Sequence, residues 1–395
     1  MNKFNISYFV VAIFLAVSCG TAEKTSSEND PNSYNLILEL GEVELKVPAK
    51  KTAKHLTIYN NQEQIILDLL GNDSVQAKFP VFDSGLKFYT ENTGIWKKFY
   101  LEDYEIPFRL EKTKKLKIVD DSLAYEKYQV VFSPNSPDQY PAIGLFKFDK
   151  QNGYAIGSFA TETGDYRHLV GEIKNNHFQL NTLDGSHAFV FTGDLKHDSI
   201  VNGMFYSGTH WKEPWVAVKK ENYSLQNPDS LTKVIGEVDF SFLNLDSTTY
   251  KFNKNTAKDT AVIIQILGSW CPNCLDETEF LSGIEKTYSN KPLKIIGISF
   301  ESKDNFAYYK KQISQLKSNT NINYDILFGG KASKKLASDT LTFIDEIKSF
   351  PTTIVLDKKH QIKKVHTGFY GPGTGSYYHK FKEDFTLLMD KILSE

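Results

Sequence analysis

The sequence predicts a mainly antiparallel β half followed by an α/β half. From about residue 35 to residue 220, short runs of alternating apolar and polar residues are separated by turn residues, as at 151–153 and 174–176. Such alternation at short intervals is typical of antiparallel strands in a sandwich or barrel. From residue 261 onward, continuous apolar runs alternate with stretches of helical periodicity, which is typical of strands buried on both faces between helices.

The composition is that of an ordinary globular protein. The 395 residues suggest two or three domains at ~150 residues each. With 41% hydrophobic and 24% charged residues, disorder of the whole chain is excluded. A net charge of -2 provides no basic excess, so we expect no nucleic-acid partner. Three cysteines, Cys19, Cys271 and Cys274, are too few for a disulfide scaffold.

The first 18 residues predict a secretory signal peptide. The apolar run at 8–17 is too short for a membrane span, which needs about 20 residues. Cys19 follows small residues, as in bacterial lipoprotein signals whose cysteine is lipidated, although Ala16 stands where leucine is usual. We expect a lipid anchor at Cys19 and a flexible tether over 19–33. The alternative is an ordinary signal with an incidental cysteine.

Composition shifts divide the rest of the chain. Residues 34–220 form the predicted β-rich domain, and residues 221–234 are a polar, proline-containing linker. The predicted α/β domain covers residues 235–395. Within the β-rich domain, the stretch from 54 to 70 has a spacing that favours a helix.

The α/β half has its elements in a thioredoxin-like order. A buried strand leads directly into a CxxC motif, and helices, a second buried strand and a hairpin follow. In chain order these are a strand over 261–267, the motif at 270–274 with a helix after it, a strand over 293–300, a helix over 304–316, a hairpin around 357–360 and a helix over 378–393.

Residues 235–395 resemble the TlpA/ResA family of extracytoplasmic thioredoxin-like proteins. The resemblance covers less than half of the chain and rests on two motifs. They are Trp270-Cys271-Pro272-Asn273-Cys274 at the end of a buried strand and Phe350-Pro351-Thr352-Thr353 before the next one. The family has a cis-proline beside its CxxC pair, and the resemblance implies that Pro351 is this residue.

The position of the cysteines indicates their chemistry. A cysteine at a helix N-terminus faces free backbone N–H groups and the positive end of the dipole, so we expect Cys271 to be the attacking thiolate. Cys274, one turn later on the same face, would resolve the mixed disulfide. Trp270 would shield one side of the pair. Pro351 lacks an N–H group and would leave the adjacent backbone free to pair with an extended substrate.

The resolving cysteine needs a proton acceptor. Thioredoxin has a buried aspartate six residues before its first cysteine, but Gln265 occupies that position here and cannot accept a proton at neutral pH. ResA-like proteins carry a functional glutamate where this sequence has Glu277, so the resemblance implies that Glu277 is the acceptor. The alternative is a first-turn glutamate that the helix dipole favours.

A metal site is a poor explanation of the CxxC pair. Zinc needs about four ligands, and the third cysteine is at the predicted lipid anchor. No histidine lies near the motif in sequence. We therefore expect neither a metal nor another cofactor.

The β-rich half contains polar clusters that resemble segments of poorly characterised β-rich halves preceding TlpA-like domains in some Bacteroidetes proteins. One hypothesis is a site where Asp165, Arg167, His187 and His210 converge, holding a client or facing the redox centre. The alternative is that these residues serve turns and that Arg167 forms a structural ion pair with Asp165 or Glu213. Zinc bound by His168, His187 and His210 is a minor idea, because no ligand spacing supports it.

The sequence thus predicts a membrane-tethered thiol:disulfide oxidoreductase of the cell envelope, facing the periplasm or secreted into it. Its clients would be protein disulfides. The resemblance implies re-reduction by a membrane thiol carrier of the DsbD or CcdA type, and apocytochromes c are among the implied clients. Two alternatives stay open. One is a disulfide oxidase or isomerase on the same fold, and the other is an envelope binding protein with a redox-inert thioredoxin-like scaffold.

Overall fold

The computed structural model describes residues 30–71, 75–113 and 123–395. The predicted signal peptide, Cys19 and the tether up to residue 29 lie outside them. In the part of the chain that is described, none of the helices has the length and apolar character that crossing a bilayer requires.

The first eight strands form a closed antiparallel barrel. They are β1 (Ser33–Glu39), β2 (Glu44–Lys51), β3 (His55–Asn60), β4 (Glu63–Leu70), β5 (Gln76–Lys78), β6 (Ser84–Phe88), β7 (Thr93–Lys98) and β8 (Glu105–Lys112). Each strand pairs with the next, and β1 closes the barrel by pairing with β8. In β2, Leu45, Val47 and Ala49 are fully buried while the residues between them are partly exposed, as the strand period of two requires.

The expected helix over residues 54–70 is wrong, because this stretch forms the β3–β4 hairpin. Leu56 and Ile58 alternate into the barrel core. Asn61 makes the turn with a positive φ of 55°, which asparagine tolerates. The side chain of Asn60 donates to the carbonyl of Leu183 at 3.1 Å and accepts from its N–H at 3.2 Å. Turn chemistry and this long-range contact override the local spacing.

Nine further strands form a second antiparallel sheet. They are β9 (Glu126–Phe132), β10 (Tyr140–Asp149), β11 (Tyr154–Thr161), β12 (Gly164–Asp165), β13 (Leu169–Lys174), β14 (His177–Leu183), β15 (Ala188–Lys196), β16 (Ser199–Ser207) and β17 (Trp211–Lys219). The order is β10-β9-β17-β16-β15-β14-β13-β11-β12, and β10 also pairs with β11, so the sheet curls into a barrel-like structure. Aromatic side chains such as Phe132, Phe159 and Trp215 fill its core. The predicted β-rich half therefore contains two barrel-like sheets.

The segment that the sequence predicted as a linker packs on both halves of the chain. Tyr223 and Leu225 contact an apolar cluster around Ile143 and Leu145. Asp229 forms ion pairs with two side chains of the α/β half, including His366 at 2.6 Å. The two halves are therefore joined by a docked segment.

The α/β half is a seven-stranded mixed sheet with four helices. Its elements are β18 (Phe240–Leu243), β19 (Thr249–Phe252), β20 (Ala261–Leu267), α1 (Pro272–Thr287), β21 (Leu293–Glu301), α2 (Phe306–Thr320), β22 (Asp325–Lys331), α3 (Lys334–Thr340), β23 (Thr352–Leu356), β24 (Ile362–Thr367) and α4 (Ser376–Ser394). The strand order is β19-β18-β22-β21-β20-β23-β24. Strand β20, which precedes the CxxC motif, is parallel to β21, antiparallel to β23 and buried at every residue. The predicted thioredoxin-like fold is confirmed.

Both β sheets contact the α/β half. In the first barrel, the segment before β6 accepts two hydrogen bonds from Gln315 of α2, at the carbonyls of Phe79 (3.3 Å) and Pro80 (3.0 Å). Lys311 of α2 forms an ion pair with Asp83 at 3.0 Å. The second sheet presents the loops after β11 and β14 to the N-terminus of α1. That junction contains the candidate site.

Candidate redox site

The two cysteines of the CxxC motif lie at the N-terminus of α1. Cys271 is the N-cap residue, and its Sγ accepts the backbone N–H of Cys274 at 3.2 Å. Pro272 occupies the first helical position, where its missing N–H removes no helical hydrogen bond. Both thiols are free and buried. The structure therefore places a dithiol where the helix dipole favours negative charge on Cys271.

The loop before β23 lies against Cys271. The Phe350–Pro351 peptide bond is cis, as the resemblance implied. The thiol of Cys271 donates to the carbonyl of Phe350 at 3.5 Å. This contact brings the Cys271 sulfur next to the cis-proline loop.

Glu277 is fully buried one turn after Cys274. Gln265 of β20 links these two residues, because its amide donates to the Glu277 carboxyl at 3.0 Å and to the Cys274 carbonyl at 3.3 Å. Burial raises the pKa of Glu277 to about 8, and the hydrogen bond from Gln265 only partly opposes this. Burial also raises the pKa of the Cys274 thiol well above its usual value, and the neighbouring Cys271 and Glu277 add to the shift.

Trp270 precedes the pair and is held on both sides. Its indole N–H donates to the carbonyl of Phe300 at 2.9 Å, and its own carbonyl accepts the hydroxyl of Ser186 at 2.6 Å. Its ring meets that of Phe350 edge to face at 5.8 Å between centroids. Trp270 thus forms one wall beside Cys271 and contacts the β-rich half through Ser186.

Arg167 of the β-rich half pairs with Asp276 of α1. Its Nε and Nη2 donate to the two carboxylate oxygens at 3.0 and 2.7 Å, which is a bidentate ion pair. The expected ion pair of Arg167 with Asp165 or Glu213 is wrong. Asp165 instead accepts the backbone N–H of Arg167 at 2.7 Å, and Glu213 accepts hydroxyls from Ser133 and Tyr140.

Carboxylates outnumber cations around Arg167. Its guanidinium also lies 2.7 Å from Glu63 and 4.0 Å from Asp184. Burial raises the pKa of Asp276 to about 7 although Arg167 opposes the shift. Burial likewise raises the pKa of Asp165 to about 6. Three carboxylates, those of Asp276, Glu63 and Asp184, therefore surround one guanidinium at the junction between the two halves.

His187 lies at this junction, and His210 does not line it. The His187 ring stacks on Phe189 at 4.5 Å between centroids, and its Nδ1 is 3.4 Å from Asp184. His210 is next to Tyr104 of the first barrel, at 6.2 Å between ring centroids. Across the described ranges, no three His, Cys, Asp or Glu residues are grouped to hold a metal ion, so the zinc idea for His168, His187 and His210 finds no support.

A pocket of about 250 Å³ lies between the β-rich half and the redox motif. Cys271, Trp270 and Phe350 form one side of it, and Thr163 and His187 belong to the other. The remaining lining residues are Thr161, Gly164, Asp165, Tyr166, Arg167, Asp184, Phe189, Pro272, Asn273 and Ser349. Three of the four β-half residues proposed from sequence, namely Asp165, Arg167 and His187, thus line a pocket that includes Cys271.

Several residues of this junction carried no sequence signal. Ser349 donates to the carbonyl of Thr163 at 2.8 Å, and Asn273 donates to that of Asp165 at 3.1 Å. Glu63 reaches Arg167 from the first barrel, more than a hundred positions earlier in the chain. Such contacts join distant segments through backbone groups or single side chains, so no local pattern marks them. Asp276 carried no signal of its own either, because it is one of several acidic residues in α1.

Comparison with known proteins agrees with this geometry for the C-terminal half. A family model described as Redoxin matches residues 236–377. The C-terminal region is therefore a redoxin-type domain with the fold and the paired thiols of a thiol–disulfide oxidoreductase.

The similar proteins each match less than half of this chain. The thioredoxin-like protein YneN of Bacillus subtilis (strain 168) is 26% identical over 130 residues, which are 33% of this chain and 68% of that protein. A thiol:disulfide interchange protein from Chlorobium tepidum TLS is 18% identical, with a TM-score of 0.28, covering 38% of this chain and 97% of its own. A secreted thiol-disulfide isomerase from Corynebacterium glutamicum is 19% identical, with a TM-score of 0.29, covering 37% of this chain and 87% of its own.

Proposed function

We propose that this protein, whose C-terminal region is a redoxin-type domain, reduces protein disulfides outside the cytoplasm. The observation that carries the proposal is the free dithiol at the N-terminus of α1. Cys271 accepts a backbone N–H from Cys274 there and lies against the loop of the cis Phe350–Pro351 bond. A helix N-terminus favours the thiolate, which is the nucleophile of disulfide exchange.

The reaction runs in two exchanges. The Cys271 thiolate attacks one sulfur of the client disulfide, a mixed disulfide forms, and the other client sulfur leaves as a thiolate that takes up a proton. Cys274 then loses its proton and attacks the Cys271 sulfur, which releases the second client thiol. The client gains two electrons and two protons, and Cys271 and Cys274 become a disulfide. A dithiol donor must reduce that disulfide before the next turnover.

Glu277 is the proposed proton acceptor for Cys274. The Cys274 thiol is buried and holds its proton tightly, so its attack needs a base nearby. Glu277 is buried in the same region and is linked to the Cys274 backbone through Gln265. A pKa of about 8 makes this carboxylate a stronger base than an exposed glutamate.

The setting of the reaction is proposed from the sequence. The apolar run at 8–17 followed by Cys19 supports a lipid-anchored protein of the cell envelope. In that setting a membrane thiol carrier of the DsbD or CcdA type would supply the electrons, and apocytochromes c would be candidate clients. Labelling of the processed protein with a radioactive fatty acid, lost in Cys19→Ala, tests the anchor.

Cysteine variants test the chemistry directly. In the purified reduced protein, Cys271→Ser should abolish disulfide reduction. Cys274→Ser should still attack and should accumulate a covalent mixed disulfide with the client, visible by mass spectrometry. Unchanged disulfide reduction by Cys271→Ser would refute the proposal, and circular dichroism of each variant controls for folding.

The equilibrium potential of the Cys271–Cys274 couple tests the direction of electron flow. Titration in defined thiol–disulfide buffers should give a value close to that of thioredoxin, about −270 mV. A value near that of a strong oxidant, about −120 mV, would instead assign the protein to disulfide formation in secreted proteins.

A further inference from the structure

The loop after β11 lies across the redox motif. This covering loop, residues 161–168, is held by three separate parts of the α/β half. Its carbonyls accept hydrogen bonds from Tyr370 at Thr161 (2.8 Å), from Ser349 at Thr163 (2.8 Å) and from Asn273 at Asp165 (3.1 Å). Asn273 lies between the two cysteines, and Ser349 is two residues before Pro351. The loop therefore covers the two segments that flank the attacking sulfur.

A buried ion pair holds the covering loop in place. Arg167, within the loop, is only 7% exposed and binds both oxygens of Asp276 on α1. Glu63 of the first barrel contacts the same guanidinium at 2.7 Å. The bidentate geometry fixes the position of the Arg167 side chain against α1. The covering loop is therefore a fixed wall beside Cys271.

The pocket is the remaining route to Cys271. The Cys271 residue is only 6% exposed, and the pocket that it lines measures about 250 Å³. This volume is slightly below the ~300–1,000 Å³ that is usual for small-molecule sites. Thr163 and His187 of the β-rich half line it together with Cys271 and Phe350. The space accommodates a short stretch of extended chain and excludes the surface of a folded domain.

The geometry of disulfide exchange explains why the size of the pocket limits which clients can react. The attacking sulfur and both client sulfurs align in the transition state, so the whole client disulfide must enter the pocket before Cys271 can bond to one sulfur and displace the other. A disulfide on an unfolded segment can enter, since its neighbours adapt to the walls. A disulfide fixed on a folded surface brings its surroundings with it, and these collide with the covering loop.

We propose that the β-rich half forms one wall of the client site and that the covering loop restricts the enzyme to disulfides on unfolded, extended polypeptide segments. The inference rests on the proposed function and specifies its substrate class. Electrons flow as described above, with two passing from the Cys271–Cys274 dithiol to the client disulfide. An added dithiol such as dithiothreitol restores the dithiol in the assay.

A matched pair of clients tests the inference with the full-length protein. One reporter domain carries a single surface cysteine in a mixed disulfide with a fluorescent thiol, and a destabilised variant presents the same disulfide in an unfolded chain. The rates are corrected for the intrinsic reactivity of each reporter with dithiothreitol. The fluorescent thiol should then be released from the unfolded reporter about 100-fold faster than from the folded one, which is the scale of the rate losses caused by misplaced reactants. Equal corrected rates would overturn the inference.

Variants of the covering loop test whether it is the wall. Thr163 is exposed and lines the pocket, so Thr163→Trp narrows the pocket without burying a new group in the core. It should slow release from the unfolded reporter by at least about tenfold and leave the redox potential unchanged. Glu162→Trp is the control, because Glu162 is next to Thr163 in the chain but does not line the pocket. Equal effects of the two variants would contradict the assignment of the wall.

A small disulfide separates failure of the inference from failure of the proposed function. Bis(2-hydroxyethyl) disulfide is small enough to enter the pocket whether or not the covering loop restricts larger clients, so the wild-type protein should reduce it. If the wild-type protein reduces it no faster than Cys271→Ser does, the oxidoreductase function itself is refuted. If it reduces this small disulfide but treats folded and unfolded reporters alike, only the restriction to unfolded segments is refuted.

Discussion

Glu277 combines burial with a pKa near physiological pH. Its carboxyl pKa is raised to about 8, so the base form that accepts a proton becomes populated as the pH rises through that value. Resolution of the Cys271–client mixed disulfide should therefore accelerate between about pH 6 and about pH 9. Glu277→Gln should slow resolution by about 100-fold and remove the inflection near pH 8. Stopped-flow release of the second client thiol measures both effects.

Glu279 supplies the control for this prediction. It lies two residues further along α1, and burial also raises its carboxyl pKa. Glu279 has no hydrogen-bonded link to Cys274 comparable to that through Gln265. Glu279→Gln should keep the wild-type inflection. A normal pH profile in Glu277→Gln would assign the proton to another acceptor.

The same carboxyl makes stability depend on pH. Glu277 binds its proton more tightly in the folded chain than in the unfolded chain, where its pKa is near 4.5. Its contribution is fully present below about pH 4.5 and is lost as the pH rises through about 8. The melting temperature of Glu277→Gln should therefore rise relative to that of the wild-type protein as the pH increases from about 5 to about 8. A difference independent of pH, measured by differential scanning fluorimetry, would contradict the shift.

At the scale of elements, the covering loop and α1 depend on one ion pair. Arg167→Met leaves Asp276, Glu63 and Asp184 buried without their cation, so it should cost about 3–5 kcal/mol in urea unfolding. Asp276→Asn should lower the free energy of unfolding less in the Arg167→Met variant than in the wild-type protein, because the cation is already absent from that variant. Arg109 is the other arginine of the chain, and its side chain is 31% exposed. Arg109→Met should cost less than about 1 kcal/mol.

Two glycines, one in the covering loop and one on α1, test how closely the loop approaches the helix. Gly164 has a φ of 144°, and a Cβ there would lie 2.3 Å from the Asn273 amide nitrogen. Gly164→Ala should therefore cost about 1–3 kcal/mol. Gly283 is exposed on α1 with nothing near its missing Cβ, so Gly283→Ala should stabilise by about 0.5–1 kcal/mol. Chemical denaturation measures both, and equal effects would contradict the close approach of loop and helix.

Strands with a strong pattern could be predicted from sequence, and contacts between halves could not. The apolar run of β20, the motif after it and Pro351 carry local signals, so the thioredoxin-like fold and its cysteine pair were predictable. The β3–β4 hairpin was mistaken for a helix because its apolar spacing is ambiguous and Asn61 was not recognised as its turn residue. The sequence suggested Asp165 or Glu213 as the ion-pair partner of Arg167, whereas the partner Asp276 lies 109 positions further along the chain.

At the scale of the whole molecule, each of the three parts, namely the two barrel-like sheets and the α/β half, contacts the other two. The first barrel reaches α2 through Gln315 and the second sheet through Asn60, and the second sheet reaches α1 through Arg167. We therefore expect a single cooperative unfolding transition. Hydrogen exchange in increasing denaturant should give coincident midpoints for peptides from all three regions. An early midpoint in the β-rich half would contradict the shared cooperativity.

The covering loop is attached through its main chain as well as through the Arg167–Asp276 ion pair. Three carbonyls, those of Thr161, Thr163 and Asp165, accept the hydrogen bonds from the α/β half. Every amino acid has a backbone carbonyl, so a side-chain substitution leaves such an acceptor in place, and side chains that line the pocket, such as that of Thr163, are free to vary. A duplicated gene could thus acquire a new set of clients by changing these side chains while the dithiol and its scaffold stay the same.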